Sequence, residues 1–188
     1  MIKDLILKNR SYRRFYQDHK VTIEELKELV DLARLSASGR NLQPLKYYLS
    51  ADEETNKKVF STLAWAGYLK DWDGPEEGER PSGYIIILGD SRLTKNYFCD
   101  HGIASQSILL GAVEKELGGC IFASVKREKL KELLKIEDYF EVLLVLAIGK
   151  PKEKVVVTDV VDNDIKYYRD STEVHHVPKR NLNDIIIS

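Results

Sequence analysis

The sequence predicts an α+β fold in one domain, on three observations. Segments with strand patterning and segments with helix patterning alternate without a regular repeat, which favours α+β over a doubly wound parallel sheet. The chain has 188 residues, the usual length of one domain, and a chain of that size buries about 70% of its surface on folding. No internal repeat, low-complexity tract or linker divides it. We therefore expect a single domain over residues 1–188, with a surface excursion or lid at 65–82 and a C-terminal arm at 152–188.

The first half of the chain is predicted to contain three helices and one strand. In chain order, these are a helix over 1–8, a helix from a capping box at Thr22 to about Ala37, a strand over 46–51 and a helix over 53–63. In the capping box, the Thr22 hydroxyl and the Glu25 carboxylate bind free amides of the first helical turn. The following segment, from Trp65 to Ser82, is too polar and too broken by glycine and proline for an internal element.

The second half opens with a continuous apolar run, Tyr84–Leu88, which predicts a strand buried on both faces. A long helix over 100–117 is apolar nearly all round, which places it at the centre of the fold or in a subunit interface. A strand over 120–123, a helix over 126–135 and a strand over 142–148 complete this part. Beyond Lys152 the chain is polar and irregular, but the β-branched run Ile185–Ile187 has strand propensity.

Composition excludes several classes of function. The net charge is −1, from 29 basic and 30 acidic residues, so neither nucleic acid nor a membrane surface is indicated as a partner. The N-terminal apolar run Leu5–Leu7 is too short for a signal peptide, and no run approaches a spanning helix. Cys99 and Cys120 lack metal-ligand spacing and indicate reduced thiols of a cytoplasmic protein.

The chain also lacks the common catalytic motifs. No glycine-rich dinucleotide or phosphate loop is present, and no serine or cysteine carries a nucleophile elbow. His175 and His176 point to opposite sides of an extended chain, so a structural or surface role is favoured over metal binding. Asp100 precedes His101 at a helix start, where capping of amides is favoured over acid–base catalysis. We predict no metal site and no catalytic side chain, so a cofactor should carry any reaction.

Two basic clusters lie at opposite ends of this nearly neutral chain. The segment 9–15 contains three arginines and a serine, and the segment 177–180 adds Lys179 and Arg180. The arginine fork gives two parallel hydrogen bonds to a phosphate, so the clusters suggest one anion held from two sides. The alternative is that each cluster is a solvated run of charge.

Six segments, taken in order, resemble the FMN-dependent nitroreductase family. They are Arg10–Arg13, Ser36–Pro44, Asp100–Gln106, Gly118–Cys120, Ile148–Pro151 and Pro178–Arg180. The resemblance implies a nitroreductase-like fold with a central, mainly antiparallel sheet flanked by helices and a C-terminal strand extending to the partner subunit. It also implies an obligate homodimer with two FMN sites at the subunit interface.

The resemblance assigns cofactor roles residue by residue. Arg10 and Arg13 would hold the phosphate and the pyrimidine side of the flavin, and Ser11 would bind the phosphate or ribityl chain. Ala37, Ser38, Gly39 and Asn41 would approach from the partner subunit, amides near Phe122 and Ala123 would face N5 and O4, and Lys179 and Arg180 would close on the phosphate. Tyr12 and Gln43 complete the set as members of their motifs. The chain departs from the family pattern at Asn9, where a second arginine is usual, at Ala37, where proline is common, and at Leu45, where an aromatic is common.

The implied activity is an FMN-dependent oxidoreductase reaction. NAD(P)H would deliver hydride to flavin N5 and leave, and an electron-poor small molecule such as a nitroaromatic or quinone would take its place, giving ping-pong kinetics. Two alternatives remain at this point. One is the same fold carrying out reductive dehalogenation or enone reduction, and the other is a flavin-binding module without turnover.

Overall fold

A computed structural model describes residues 1–187. The helices, in chain order, are α1 (Ile2–Lys8), α2 (Ile23–Arg34), α3 (Glu53–Phe60), α4 (Asp100–Glu114), α5 (Arg127–Leu134) and α6 (Leu182–Ile185), with a short 3-10 turn at Gly39–Asn41. The strands are β1 (Phe15–Tyr16), β2 (Leu45–Ser50), β3 (Gly83–Asp90), β4 (Gly118–Phe122), β5 (Phe140–Pro151), β6 (Val155–Asp159), β7 (Tyr168–Arg169) and β8 (His175–Lys179).

The central sheet has five strands and is antiparallel throughout the described chain. Its order is β1-β5-β3-β2, and β4 pairs with β5 as well. The twelve-residue strand β5 therefore connects three neighbours, because it pairs with β3 and β4 along its length and with β1 at its last two residues. The α+β fold with a mainly antiparallel sheet is confirmed.

Strand β3 lies at the centre of this sheet and is buried on both faces, as its apolar run predicted. Side chains alternate along a strand, so Ile85 and Ile87 enter one core while Tyr84 and Ile86 enter the other. The first core is closed by α2 and α4, and the second by α3 and α5. The sheet is thus covered by helices on both sides, which leaves its ends and the connecting segments to form clefts.

The predicted helix start at Thr22 is also confirmed. Glu25 N–H donates to the Thr22 hydroxyl at 3.2 Å, and the Glu25 carboxylate accepts from Thr22 N–H at 2.8 Å. The helix ends at Arg34, three residues before the expected end at Ala37. Residues 35–38 instead lead into the 3-10 turn, where Arg40 and Asn41 adopt positive φ.

The excursion 65–82 contains neither helix nor strand, in agreement with its composition. It is fixed to the body of the protein by Trp65, whose ring centroid lies 4.6 Å from that of Phe122 in an edge-to-face arrangement. It also reaches the C-terminal arm, where Arg169 lies 4.3 Å above the ring of Trp72.

The C-terminal arm differs from expectation in two ways. The irregular run predicted beyond Lys152 is wrong, because β6 pairs in parallel with β8, and β7 pairs with β8 on its other side. The strand predicted over Ile185–Ile187 is also wrong, because Leu182–Ile185 form the short helix α6. A β-branched run forms a strand only where it finds a pairing edge, and Ile185–Ile187 pair with no strand of the described chain. Within the described chain, no helix combines the length and apolar character needed to span a membrane.

A cluster of ion pairs joins the N-terminal segment, the excursion and the arm. Glu79 accepts from Arg14 Nε at 2.5 Å and Nη2 at 2.8 Å, and Lys152 Nζ lies 2.9 Å from the same carboxylate. Arg14 also pairs with Glu173 at 2.9 Å. The hydrogen bond from Arg14, opposed by burial and supported by Lys152, lowers the pKa of Glu79 to about 2.

We therefore expect Glu79→Gln to destabilise the protein in a pH-dependent way. The folded-state pKa of Glu79 lies below the ordinary value of 4.5. The contribution of its carboxylate to the free energy of unfolding is therefore complete above about pH 5 and is lost as the pH falls towards 2. Urea unfolding should show a loss of about 2 kcal/mol at pH 7 that disappears near pH 2. The matched change Glu132→Gln, at an exposed position of α5, should cost less than about 0.5 kcal/mol. A Glu79→Gln loss independent of pH would contradict this assignment.

Candidate functional site

The N-terminal basic segment lies directly on the central sheet. Ser11 forms a parallel bridge with Gly119, and Tyr12 N–H donates to Gly119 O at 3.0 Å. A Cβ on Gly119 would lie 2.4 Å from Ala147 O, and one on Gly118 would lie 2.5 Å from the Tyr12 ring. A side chain at position 118 would therefore push the Tyr12 ring away, and one at position 119 would collide with β5, so Gly118 is the residue that allows the close approach of Arg10–Arg13.

The structure brings this segment together with the C-terminal arm. A cleft of about 260 Å³, here called the basic cleft, opens between them. Its lining residues are Asn9, Arg10, Ser11, Arg13, Tyr167, Val177 and Lys179. Three cations from the two sequence clusters therefore face one space, and none of the lining residues carries a carboxylate.

The cations of the basic cleft are not neutralised by acidic neighbours. In residues 1–187, neither Arg10 nor Arg13 has an ion pair, and the same holds for Lys179. Arg10 Nη2 donates to Ile6 O at 2.8 Å, but its Nε is buried without a partner in the described chain. Arg13 Nη1 donates to Ser11 O at 3.2 Å, and the guanidinium lies 4.6 Å from the Tyr167 ring centroid. A buried donor without a partner and three free cations favour an anionic ligand.

Of the predicted site residues in the two basic clusters, Tyr12 and Arg180 do not line the basic cleft. The Arg180 Nη1 donates to Asn163 Oδ1 at 3.1 Å on the exposed side of the arm. The Tyr12 hydroxyl donates to Lys8 O at 2.9 Å, and its ring packs on Gly118. Tyr12 therefore supports the basic segment and does not face the cleft.

A second cleft, here called the loop cleft, contains Ala37, Ser38 and Gln43. It has a volume of about 270 Å³, and Tyr47 and Asp100 also line it. Burial, reinforced by the negative charge of Asp100, raises the pKa of Tyr47 to about 12, so its hydroxyl is neutral at physiological pH. Of the predicted partner-side residues, Ala37 and Ser38 thus line a cleft that is separate from the basic cleft in one chain.

The loop that forms this second cleft is strained and firmly held. Arg40, Asn41 and Gln43 have φ values of 54°, 56° and 50°, a region that side chains other than glycine seldom adopt. Asp100 is buried and holds the loop, because its carboxylate accepts from Ser38 Oγ at 2.6 Å and from Gly39 N–H at 2.8 Å. The sequence prediction that Asp100 caps amides of its own helix is therefore wrong, since its acceptors serve the loop.

The remaining predicted residues lie outside both clefts. Gly39 and Asn41 belong to the 3-10 turn beside the loop cleft, Phe122 is buried at the end of β4, and Ala123 is exposed. Phe122 packs against Trp65, and Ala123 O accepts from Arg127 Nη2 at 3.0 Å.

Sequence reasoning missed three residues at the basic cleft. Tyr167 and Val177 line it, and the buried Glu153 accepts from the amides of Arg13 and Arg14. A lone acidic residue between Lys152 and Lys154 gives no pattern that marks it in advance. His175 was predicted to be structural or superficial, and it is fully buried in β8, while His176 on the other face lies 2.8 Å from the Asp170 carboxylate.

An antiparallel sheet covered by helices, with a basic cleft built from the N-terminal segment and the C-terminal arm, defines an α+β protein with a candidate anion site. A sequence model of the nitroreductase family matches residues 6–150, which is most of the chain. The chain belongs to the nitroreductase family. The family indicated by the six segments, and with it the expectation of an oxidoreductase, is confirmed.

Individual relatives agree with this assignment. A Bacillus subtilis (strain 168) protein with the provisional name NAD(P)H nitroreductase MhqN is 23% identical over 189 residues, which covers 79% of this chain and 87% of that one. A Pseudomonas sp. (strain G-1) protein named Cr(VI) reductase is 24% identical over 166 residues, which covers 82% and 68%.

Solved structures support the fold. A nitroreductase family protein from Streptococcus pneumoniae TIGR4 superposes with a TM-score of 0.70 at 17% identity and covers 100% of both chains. An FMN-dependent nitroreductase from Clostridium difficile R20291 gives a TM-score of 0.67 at 22% identity and covers 91% of this chain and 99% of that one.

We expect Asp100→Ala to loosen the loop cleft. The change leaves the Ser38 hydroxyl and the Gly39 amide without their acceptor, and so removes the hydrogen bonds that hold the loop in its strained conformation. The free energy of unfolding should fall by about 2–4 kcal/mol. Urea unfolding measures the loss, and amide hydrogen exchange at residues 39–43 should accelerate. Asp18→Ala, at an exposed position, is the matched control and should alter neither. Unchanged exchange in the Asp100 variant would show that the loop is held by other contacts.

Proposed function

We propose that this protein is an FMN-dependent oxidoreductase that takes hydride from NAD(P)H and passes it to an electron-poor small molecule. The observation that carries the proposal is the basic cleft, where Arg10, Arg13 and Lys179 face one space without acidic partners in the described chain. Membership in the nitroreductase family gives the class of chemistry. The names of two relatives, an NAD(P)H nitroreductase and a Cr(VI) reductase, support NAD(P)H as reductant and an electron-poor acceptor.

The donor set of the basic cleft fits the phosphate end of FMN. A phosphate monoester carries about two negative charges at neutral pH. Arg10 offers a buried Nε–H with no partner in the described chain, and Arg13 offers a guanidinium fork free of carboxylates. Ser11 adds a hydroxyl at the same cleft. Charge-assisted hydrogen bonds of this kind are roughly twice as strong as neutral ones, so these residues would anchor the cofactor by its phosphate.

When bound, FMN would supply the redox chemistry as the hydride carrier between NAD(P)H and the acceptor. The residues of the basic cleft would bind and orient the cofactor. The Arg13 guanidinium lies 4.6 Å from the Tyr167 ring centroid, where its charge would favour negative charge on a nearby ligand. Neither cleft contains a histidine or cysteine among its lining residues. The ping-pong order follows from one position used in turn by NAD(P)H and by the acceptor.

A homodimer would complete the site. The basic cleft and the loop cleft are separate within one chain, and each is too small for a whole flavin nucleotide. Apolar side chains are exposed on α4 itself, on α1 and at the end of α2, with Ile103 at 38%, Ile2 at 62% and Leu35 at 67%. We propose that a second copy covers this surface and brings to the flavin its loop cleft, with Ala37 and Ser38, and the adjoining 3-10 turn, with Gly39 and Asn41.

The direct test is cofactor content and reduction. The purified protein should carry flavin absorption, and the released flavin should be FMN and not FAD. Stopped-flow mixing with NADH or NADPH should bleach the flavin, and added nitroaromatic or quinone should restore it. Flavin that is bound but not bleached by either reductant would support a binding module without turnover, and absence of flavin binding would overturn the proposal.

Removing the cations of the basic cleft should release FMN. The double change Arg10→Ala and Arg13→Ala deletes several charge-assisted hydrogen bonds, each worth about 1.5–3 kcal/mol, so FMN affinity should fall by at least about a hundredfold. Fluorescence titration with FMN measures this loss. The matched control is Lys129→Ala, which removes an exposed cation of α5 that lines neither cleft. Full FMN occupancy in the double variant would exclude the basic cleft as the phosphate site.

Truncation after Ser171 should remove FMN and weaken the dimer together. The truncation deletes β8, which contributes Val177 and Lys179 to the basic cleft and is the middle strand of the small sheet. Light scattering at low micromolar concentration and flavin absorption measure the two effects. A truncated protein that stays dimeric and yellow would show that the arm serves neither purpose.

A further inference from the structure

We infer that Glu153 is a positioning residue for the phosphate end of the basic cleft, an inference that rests on the proposed function. Glu153 lies just beyond residues 6–150, the part that matches the family. Its side chain is only 1% exposed. Burying a carboxylate this deeply costs desolvation free energy, so its hydrogen bonds and ion pairs must offset that cost.

The two oxygens of Glu153 connect opposite ends of the chain. Oε1 accepts from the main-chain amide of Arg13 and, at 3.3 Å, from that of Arg14. Oε2 accepts from Arg169 Nη2 at 3.1 Å, in the C-terminal arm. One carboxylate therefore fixes the backbone of the N-terminal basic segment relative to the arm that carries Lys179.

His175 extends this connection to the Arg13 side chain. The ring is fully buried, its Nε2 lies 3.5 Å from Arg13 Nη1, and its Nδ1 lies 3.7 Å from Glu153 Oε2. A guanidinium has donors only, so a hydrogen bond at this contact requires Nε2 as the acceptor nitrogen, with the ring proton on Nδ1 on the side of Glu153. The Glu153 carboxylate, the His175 imidazole and the Arg13 guanidinium thus lie in a row, which restricts the orientation of the guanidinium.

The arrangement positions Arg13 and leaves its guanidinium without a salt bridge in the described chain. Burial by itself raises the pKa of Glu153, but the His175 ring, the Arg13 amide and the Arg169 charge together hold it below its ordinary value. The ionised carboxylate accepts a hydrogen bond from the Arg13 main-chain amide, and it forms its salt bridge with Arg169. The Arg13 guanidinium stays available to a phosphate, whereas direct pairing with a carboxylate would compete with that ligand.

This role predicts selectivity for the phosphate over the rest of the flavin. Loss of Glu153 should weaken FMN, which has the phosphate, much more than riboflavin, which lacks it. A merely structural role would weaken both flavins by the same factor. The ratio of the two affinities therefore separates positioning from general stability.

The test titrates FMN and riboflavin into flavin-free full-length protein by fluorescence quenching. The variants are Glu153→Gln, Glu153→Asp and the matched control Glu173→Gln, which removes an exposed carboxylate that pairs with Arg14. In Glu153→Gln, FMN affinity should fall about tenfold or more while riboflavin affinity changes less than about twofold. Glu153→Asp keeps the charge but shortens the reach, and should show a smaller loss of the same kind. Glu173→Gln should leave the ratio unchanged.

The outcomes separate this inference from the proposed function. A parallel loss of FMN and riboflavin in the Glu153 variants, or no loss of either, overturns the positioning role while the proposed function stands. Wild-type protein that binds neither flavin overturns the proposed function and this inference with it. If Glu153→Gln does not fold, Glu153→Asp decides, and an unchanged FMN-to-riboflavin ratio in that variant overturns the inference.

Discussion

The close approach of the N-terminal segment to strand β4 is the constraint on which the candidate site depends. Gly118 and Gly119 have no Cβ, and one there would meet the Tyr12 ring and the Ala147 carbonyl. Because the segment lies flat on the sheet, Arg10 and Arg13 project from a rigid support and not from a mobile terminus. The Glu153 carboxylate can then reach the Arg13 amide, and the arm can close the cleft from the other side.

The distribution of carboxylates decides which arginines remain free for a ligand. Arg14 is taken by Glu79 and Glu173, and Arg169 by Glu153. Arg10, Arg13 and Lys179 have no acidic partner in the part of the chain that the structure describes, so the lining of the basic cleft has three cations and no carboxylate. The net charge of −1 does not show this local excess of cations, since it is a sum over the whole chain of charges that lie far apart.

The fold was largely predictable because its strongest signals are local. The capping box at Thr22, the apolar run at Tyr84–Leu88 and the alternation of helices and strands all persist in the structure. The arm was predicted poorly, because β6 and β8 have only five residues each and pair in parallel across 20 residues, a contact that no local pattern marks. For the site, the two basic clusters pointed to Arg10, Arg13 and Lys179. Glu153 and Tyr167 could not be predicted, since their place depends on contacts between residues far apart in the chain.

The contact between Arg13 and Glu153 spans 140 residues, and this has a consequence for how the protein matures. The central sheet ends at Pro151, so its five strands are all present before the arm has been synthesised. The basic cleft, in contrast, needs Val177 and Lys179, which leave the ribosome after the whole of the central sheet. Closing so long a loop is slow compared with local pairing. The candidate site is therefore completed after the body of the protein, and a chain that stops before Val177 lacks the second side of the cleft.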